Sequence, residues 1–351
     1  MNLNAIVKVT TLCPGNCRSC IHRKENFIRK KGPSPFFDLR LFDDVCRNIR
    51  AVGGKFVSLS GGEPTIVPNI ERYIATAQRH GLTVRMNTNG WWITRENVEK
   101  WLDKGLNQIV LSLYGTDKDL VALTRGNKFM YEKTRHALAV LRELKKTRQF
   151  IFIVQTILLR DNYRVMPEIF KAAITANADV FWPSYLEDAK FLPDIRMTPE
   201  DIRVFRTSVI PRMIAVAREH ILMPARRAGI MAALRRIYRK RYDGYRYHRS
   251  GHRCRIIGHH FTFYPDGTVD PCPGHEYFPS RFQQHLSHSN VDMVVSRENL
   301  ARLAHRSFRY CRYCPQGEHV GINFTGRKLD EHAAKGSKSR SRRIPVTRRS
   351  P

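Results

Sequence analysis

Between residues 5 and 185 one rhythm repeats six times: a short apolar, β-branched run, then a longer stretch with apolar residues three and four apart. The runs are Ala5–Leu12, Lys55–Ser60, Thr83–Thr88, Gln108–Leu113, Phe150–Leu158 and Asp179–Tyr185. Leu39–Val52, Asn69–His80 and Glu132–Leu144 have helical periodicity. Continuous apolar strands alternating with helices require parallel strands joined by right-handed crossovers. Six units stop short of the eight that close a barrel. The expected fold is therefore α/β, a partial (β/α)6 TIM barrel left open on one side. Sites on such sheets form beyond the C-terminal strand ends, and the chemistry-bearing motifs of this chain fall there.

The loop after the first strand reads TTLCPGNCRSC and places Cys13, Cys17 and Cys20 in a C-x3-C-x2-C spacing. Three thiolates can hold three irons of a [4Fe–4S] cube and leave the fourth iron open. A closed zinc site needs a fourth donor, and His22 stands close enough in sequence to keep that alternative open. The second strand ends in SLSGGEPT, Ser58 to Thr65. Its paired glycines allow close backbone approach, and Glu63 adds a negative charge.

Together these features resemble the radical S-adenosylmethionine (SAM) superfamily, over roughly Val7 to Tyr185. The resemblance implies that Cys13, Cys17 and Cys20 ligate a [4Fe–4S] cluster whose open iron binds SAM. It implies that Gly61, Gly62 and Glu63 hold the SAM amino end, and that Ser112 reaches the ribose. Asn87 or Asn89, and Gln155, are further candidates for SAM or substrate, with capping of a neighbouring helix as the plain alternative for both asparagines. In that family the cluster, reduced by a flavodoxin or ferredoxin-type partner, cleaves SAM to a 5′-deoxyadenosyl radical that takes a substrate hydrogen. One departure stands out. The residue before the third cysteine, commonly large and apolar in the family, is Ser19 here.

Four more cysteines, Cys254, Cys272, Cys311 and Cys314, lie in the C-terminal third, with YPDGTVDPC leading into Cys272. Spacing alone does not separate zinc from iron–sulfur here. The pattern resembles the Twitch domain, a shortened relative of the SPASM domain, which implies a second, fully ligated auxiliary [4Fe–4S] cluster. His252, His259, His260 and His275 are then second-layer or surface groups, and Cys46, within DDVCRNIR, is a core residue. The expected domains are residues 1–195 as the SAM core and 196–250 as a basic helical connector. Residues 251–318 form the small α+β cysteine-rich module, and 319–351 a basic, disordered tail.

Charge is the other outlier. The chain of 351 residues carries 61 Lys and Arg against 31 Asp and Glu, a formal net charge of +30. Arg212 to Arg255 holds 13 Lys and Arg with 2 acids, and Arg327 to Pro351 holds 9 with 2. Such runs suit an anionic small-molecule substrate or, as an alternative, nucleic acid, with Arg235–Arg249 interleaving arginines and tyrosines. No apolar run reaches membrane-span length and the N-terminus lacks a signal-peptide pattern. A soluble, cytoplasmic enzyme without membrane partners is expected.

The expected reaction is oxidation of a secondary alcohol in a sugar, aminocyclitol or nucleotide sugar. The auxiliary cluster would accept the second electron, making the enzyme a radical SAM oxidoreductase. Epimerisation is the first alternative, though it lacks an obvious thiol donor. Peptide modification ranks next, because the first strand begins within a few residues of Met1 and leaves no leader-binding domain ahead of it.

Overall fold

A computed structural model of the chain describes residues 4–20, 34–186, 192–237, 260–270, 284–299 and 322–325. Six parallel strands form the central sheet: β1 (Asn4–Thr10), β2 (Phe56–Gly61), β3 (Thr83–Thr88), β4 (Leu106–Ser112), β5 (Ile151–Leu158) and β6 (Val180–Tyr185). Helices α1 (Leu39–Ala51), α2 (Ile70–Arg79), α3 (Arg95–Asp103), α4 (Lys118–Arg125), α5 (Met130–Leu144) and α6 (Met166–Thr175) make the crossovers. Their starts follow ordinary capping chemistry: the side chains of Asp38, Thr94 and Asp117 accept backbone N–H bonds from the first turns of α1, α3 and α4.

The strands run β6-β5-β4-β3-β2-β1, as a partial barrel should, but the sheet does not end there. Next to β1 lies β7 (His260–Phe263), parallel to it, followed by antiparallel β8 (Thr268–Asp270) and β9 (Gln284–His285). Gly267, at φ +85°, supplies the left-handed position of the β7–β8 turn. At the far edge β10 (Ile322–Asn323) pairs antiparallel with β6. Segments from both ends of the C-terminal third thus complete the same ten-stranded sheet and cover both edges of the six-stranded core. The sequence rhythm gave no sign of this, since β7 to β10 are two to four residues long.

One face of each strand packs on the helices. Val7, Leu59, Val84, Met86, Ile109, Leu111, Phe152 and Val154 are buried there, in one core with Phe42, Ile74 and Phe170 from the helices. Cys46 belongs to this layer. It is fully buried in α1, and burial pushes its thiol well above the ordinary range. After β6, α7 (Pro199–Val204), a π-helical turn at Phe205–Val209, α8 (Ile210–His220) and α9 (Pro224–Leu234) continue the chain. Phe205, Met213 and Leu234 bury against the same core, so the described part of the basic connector is a packed layer with its arginines outside. Among the described residues no helix is long and apolar enough to cross a membrane.

Asp179 ties three strands together just before β6. Its Oδ2 accepts the Phe152 N–H at 2.7 Å and the Lys145 Nζ at 2.8 Å, while its carbonyl accepts the Phe324 N–H at 2.9 Å. Removing the carboxylate takes the counter-charge from the Lys145 ammonium, which keeps the Phe150 carbonyl, and strands a strand N–H, a loss of about 1–3 kcal/mol. Asp179→Ala should therefore lower the urea midpoint of unfolding with an unchanged slope. An unchanged midpoint would show that this junction contributes no stability.

Candidate functional site

The cysteine loop, residues 11–20, is laid between two pieces of backbone. On one side Gly62 N–H donates to Thr10 O at 2.7 Å and Glu63 N–H to Leu12 O at 2.8 Å. There is no room for side chains: a Cβ on Gly61 would stand 2.3 Å from Thr10 O, and one on Gly62 would stand 1.9 Å from Leu12 O. Gly61 also holds φ +129°, which a side chain resists. The paired glycines are therefore required first by the approach of the cysteine loop.

On the other side the loop sits on the C-terminal end of α4. Asn16 N–H donates to Arg125 O at 2.8 Å and Arg18 N–H to Thr124 O at 3.1 Å, using carbonyls that a helix end leaves without partners. Gly126 ends the helix at φ +63°, and a Cβ there would meet Asn16 O at 2.3 Å. Asn127 Nδ2 donates to Pro14 O at 2.7 Å, and the Arg18 guanidinium pairs with Asp161, beyond β5, at 2.8 Å.

Within this frame Cys13, Cys17 and Cys20 form no disulfide. A Cβ on Gly15 would touch the Cys13 and Cys17 sulfurs, each 3.6 Å away, so the glycine leaves open the space beside them. The Cys13 sulfur accepts from the Gly15 N–H at 3.4 Å and from Asn89 Nδ2 at 3.5 Å. Burial pushes the Cys13 thiol up to about 12; the Gly15 N–H opposes this, and Glu63, Cys17 and Cys20 add to it. Three soft donors that repel one another as thiolates form a set that binding of a cationic group would relieve. Among the described residues no three Cys, His, Asp or Glu side chains are grouped to hold a single metal ion. The donor set fits an iron–sulfur cluster, which spreads its thiolates over several irons.

Glu63 is buried, and its carboxylate is bound by its own chain. Oε1 accepts from Thr65 Oγ1 at 2.7 Å and Thr88 Oγ1 at 2.6 Å, and Oε2 from the Asn89 N–H at 2.7 Å. Burial raises its pKa, with the Thr88, Asn89 and Thr65 donors opposing. The side chain thus joins the end of β2 to the end of β3.

Asn87, Ser112 and Gln155 lie on the face of the sheet opposite the helices. Ser112, Gln155 and Trp182 occupy adjacent places in register, as do Ser58, Arg85 and Gln108. Asn87 Nδ2 donates to Ser58 Oγ at 3.1 Å and Gln155 Nε2 to Ser184 Oγ at 2.8 Å, so the inner wall is polar and internally bonded. Neither asparagine of the third strand end caps a helix. Asn89 bonds Cys13 instead, while Ser19 is buried.

Residues 7–173 match the sequence profile of the radical SAM superfamily. They form a radical SAM domain. A PqqA peptide cyclase of Bradyrhizobium diazoefficiens is 25% identical over 177 residues, covering 50% of this chain and 44% of that protein. The chain thus spans less than half the length of this curated relative. Among solved structures, Streptococcus suis SuiB bound to S-adenosylmethionine superposes with a TM-score of 0.62 at 15% identity, over 90% of this chain and 71% of SuiB. Another SuiB structure is covered to 63% of its length, with a TM-score of 0.56 and 81% of this chain matched. The structure of anSMEcpe with bound AdoMet gives a TM-score of 0.58 at 13% identity, over 92% of this chain and 93% of that one. At such identities the structural likeness concerns the fold.

The radical SAM domain has a buried cation that the sequence did not single out. Arg125 is 4% exposed, its guanidinium 4.5 Å over the Tyr114 ring. Burial works against its charge, but Cys17, Tyr114, Cys13 and Glu63 outweigh burial and raise its pKa. The one signal in the sequence was Gly126, a helix stop after Arg125. Nothing in the sequence says that the helix end faces the cysteines. The other cysteine group, Cys254, Cys272, Cys311 and Cys314, and the histidines His22, His252, His259 and His275 lie outside the described residues.

Gly126→Ala should strain the left-handed turn by about 1–3 kcal/mol and push the loop off α4. Anaerobically reconstituted Gly126→Ala should hold less iron at Cys13, Cys17 and Cys20 while its circular dichroism stays native. Wild-type iron content would show that the loop docks without this turn.

Proposed function

We propose that the chain is a radical SAM enzyme that modifies a peptide. The observation that carries the radical part is the loop of three cysteines outside any disulfide, locked onto the Gly61–Glu63 turn at the C-terminal edge of the parallel sheet. Cys13, Cys17 and Cys20 would hold a [4Fe–4S] cluster by three irons, with Gly15 leaving space beside the sulfurs and Arg125 as the buried cation that offsets negative charge. The backbone of Gly61–Glu63 would meet the SAM amino end, with the Glu63 carboxylate fixing that turn. Ser112 would serve the ribose, and Asn87 and Gln155, on the inner wall, SAM or the substrate. When bound, the cluster and SAM supply one-electron chemistry: reductive cleavage of the sulfonium and removal of a substrate hydrogen atom. Cys254, Cys272, Cys311 and Cys314 would hold a second cluster.

The peptide part draws on the relatives. The curated relative is named a peptide cyclase, SuiB has been solved with its precursor peptide SuiA, and anSMEcpe with the Cp18Cys peptide. The polar inner wall suits amide and side-chain hydrogen bonding. The small-molecule alcohol expected above rested on the spacing of cysteines outside the described residues, and the relatives weigh toward a peptide instead.

The test is anaerobic incubation with SAM, dithionite and short peptides encoded beside this chain's gene, following 5′-deoxyadenosine and peptide mass. Peptide-dependent 5′-deoxyadenosine with a changed peptide mass is expected, falling to background in Cys17→Ala. If only sugars stimulate cleavage and a ketone forms, the peptide reading fails.

Iron analysis examines the second cluster separately. About eight irons per chain should fall by about four in Cys311→Ser/Cys314→Ser, with SAM binding kept. Equal iron in both proteins would remove the auxiliary cluster.

A further inference from the structure

Beside the cysteine loop the surface carries two large exposed aromatics. Trp92 is 47% exposed and Phe129 is 57% exposed. Phe129 and Trp91, the chain neighbour of Trp92, are each tied to the loop through an asparagine. Asn89 accepts the Trp91 N–H on Oδ1 at 3.0 Å and donates from Nδ2 to the Cys13 sulfur at 3.5 Å. Asn127 accepts the Phe129 N–H on Oδ1 at 2.9 Å and donates from Nδ2 to Pro14 O at 2.7 Å. Phe129 and Lys133, four residues apart at the start of α5, share one side of the helix. The Lys133 ammonium sits 5.4 Å from the Trp91 ring and 5.3 Å from the Trp92 ring, and Lys128 lies 5.2 Å over Phe129. Among the described residues neither lysine has a carboxylate at ion-pair distance; the neighbouring Glu132 pairs with Arg135.

Exposed aromatics framed by unneutralised cations mark a protein-binding surface for an acidic partner. Its position narrows the partner. A group held at Cys13, Cys17 and Cys20 has to receive an electron from outside the chain, and electron transfer demands a donor seated close above those cysteines. We propose that Trp91, Trp92, Phe129, Lys128 and Lys133 form the docking surface for a small acidic electron-transfer protein of the flavodoxin kind. The inference rests on the radical SAM reading above. In the step it serves, the donor gives up one electron and the iron–sulfur group takes it up, with no bond or proton exchanged with this chain. Such encounters are small, salt-sensitive and steered by charge.

The holoenzyme is titrated with an acidic bacterial flavodoxin at low and high salt, and the bleaching of its cluster absorbance by photoreduced flavodoxin is timed. Wild type should bind, more weakly at high salt. Lys128→Glu/Lys133→Glu and, separately, Trp92→Ala/Phe129→Ala should each weaken binding and slow bleaching about tenfold or more. SAM cleavage driven by dithionite should stay at the wild-type rate in both. Binding and bleaching unchanged in both variants, or no wild-type binding, overturns the docking surface. So does a loss confined to peptide binding, which would assign the patch to the substrate. No dithionite-driven cleavage in wild type sinks the radical reading instead, and the binding titration still judges the surface.

Discussion

The site depends on a backbone-to-backbone contact that excludes side chains. Thr10–Leu12 lies on Gly61–Glu63 through two short hydrogen bonds, with a hypothetical Gly62 Cβ 1.9 Å from Leu12 O. A rigid parallel sheet delivers both segments, because β1 and β2 stay paired as far as Thr10 and Gly61, with one register shift between Lys8 and Thr10. The Glu63 carboxylate extends the same joint sideways to Thr88 and Asn89, and Asn89 passes it on to Cys13. Three strand ends and the cysteine loop are thus one hydrogen-bonded unit. A thiol set that repels itself when ionised needs such a frame, since an unsupported loop would open.

The helix end of α4 is the counterpart of that joint. Its last carbonyls bond the loop backbone, and its last side chain, Arg125, brings a positive charge into a buried place beside the thiols. A buried charge is costly unless compensated. Here Cys17, Tyr114, Cys13 and Glu63 outweigh the cost of burial and keep the guanidinium charged. Anchoring and electrostatics arrive together on one short helix.

The outer surface follows from the same loop. Asn89 and Asn127 each turn one amide inward to the loop and the other end toward an aromatic residue's backbone. The aromatic rim is therefore fixed relative to the cysteines by short bonds, which is what a donor-docking surface needs.

Much of this was legible in the sequence, for reasons of periodicity. Alternation of β-branched runs with helical stretches determines a parallel α/β sheet, and the expected runs fall within a few residues of β1 to β6. C-x3-C-x2-C and Gly61-Gly62-Glu63 were readable because ligand spacing and glycine are local properties. What only the tertiary structure decided is non-local. Arg125 meets the cysteines because α4 ends beneath their loop, over a hundred positions away in the chain. Glu63 turns its carboxylate into the chain because Thr88 and Asn89 are delivered there by β3. The alternation around Asp266-Gly267 made the β7–β8 hairpin legible, but not its partner: β7 and β10 join the core sheet because β1 and β6 present unpaired backbone to them.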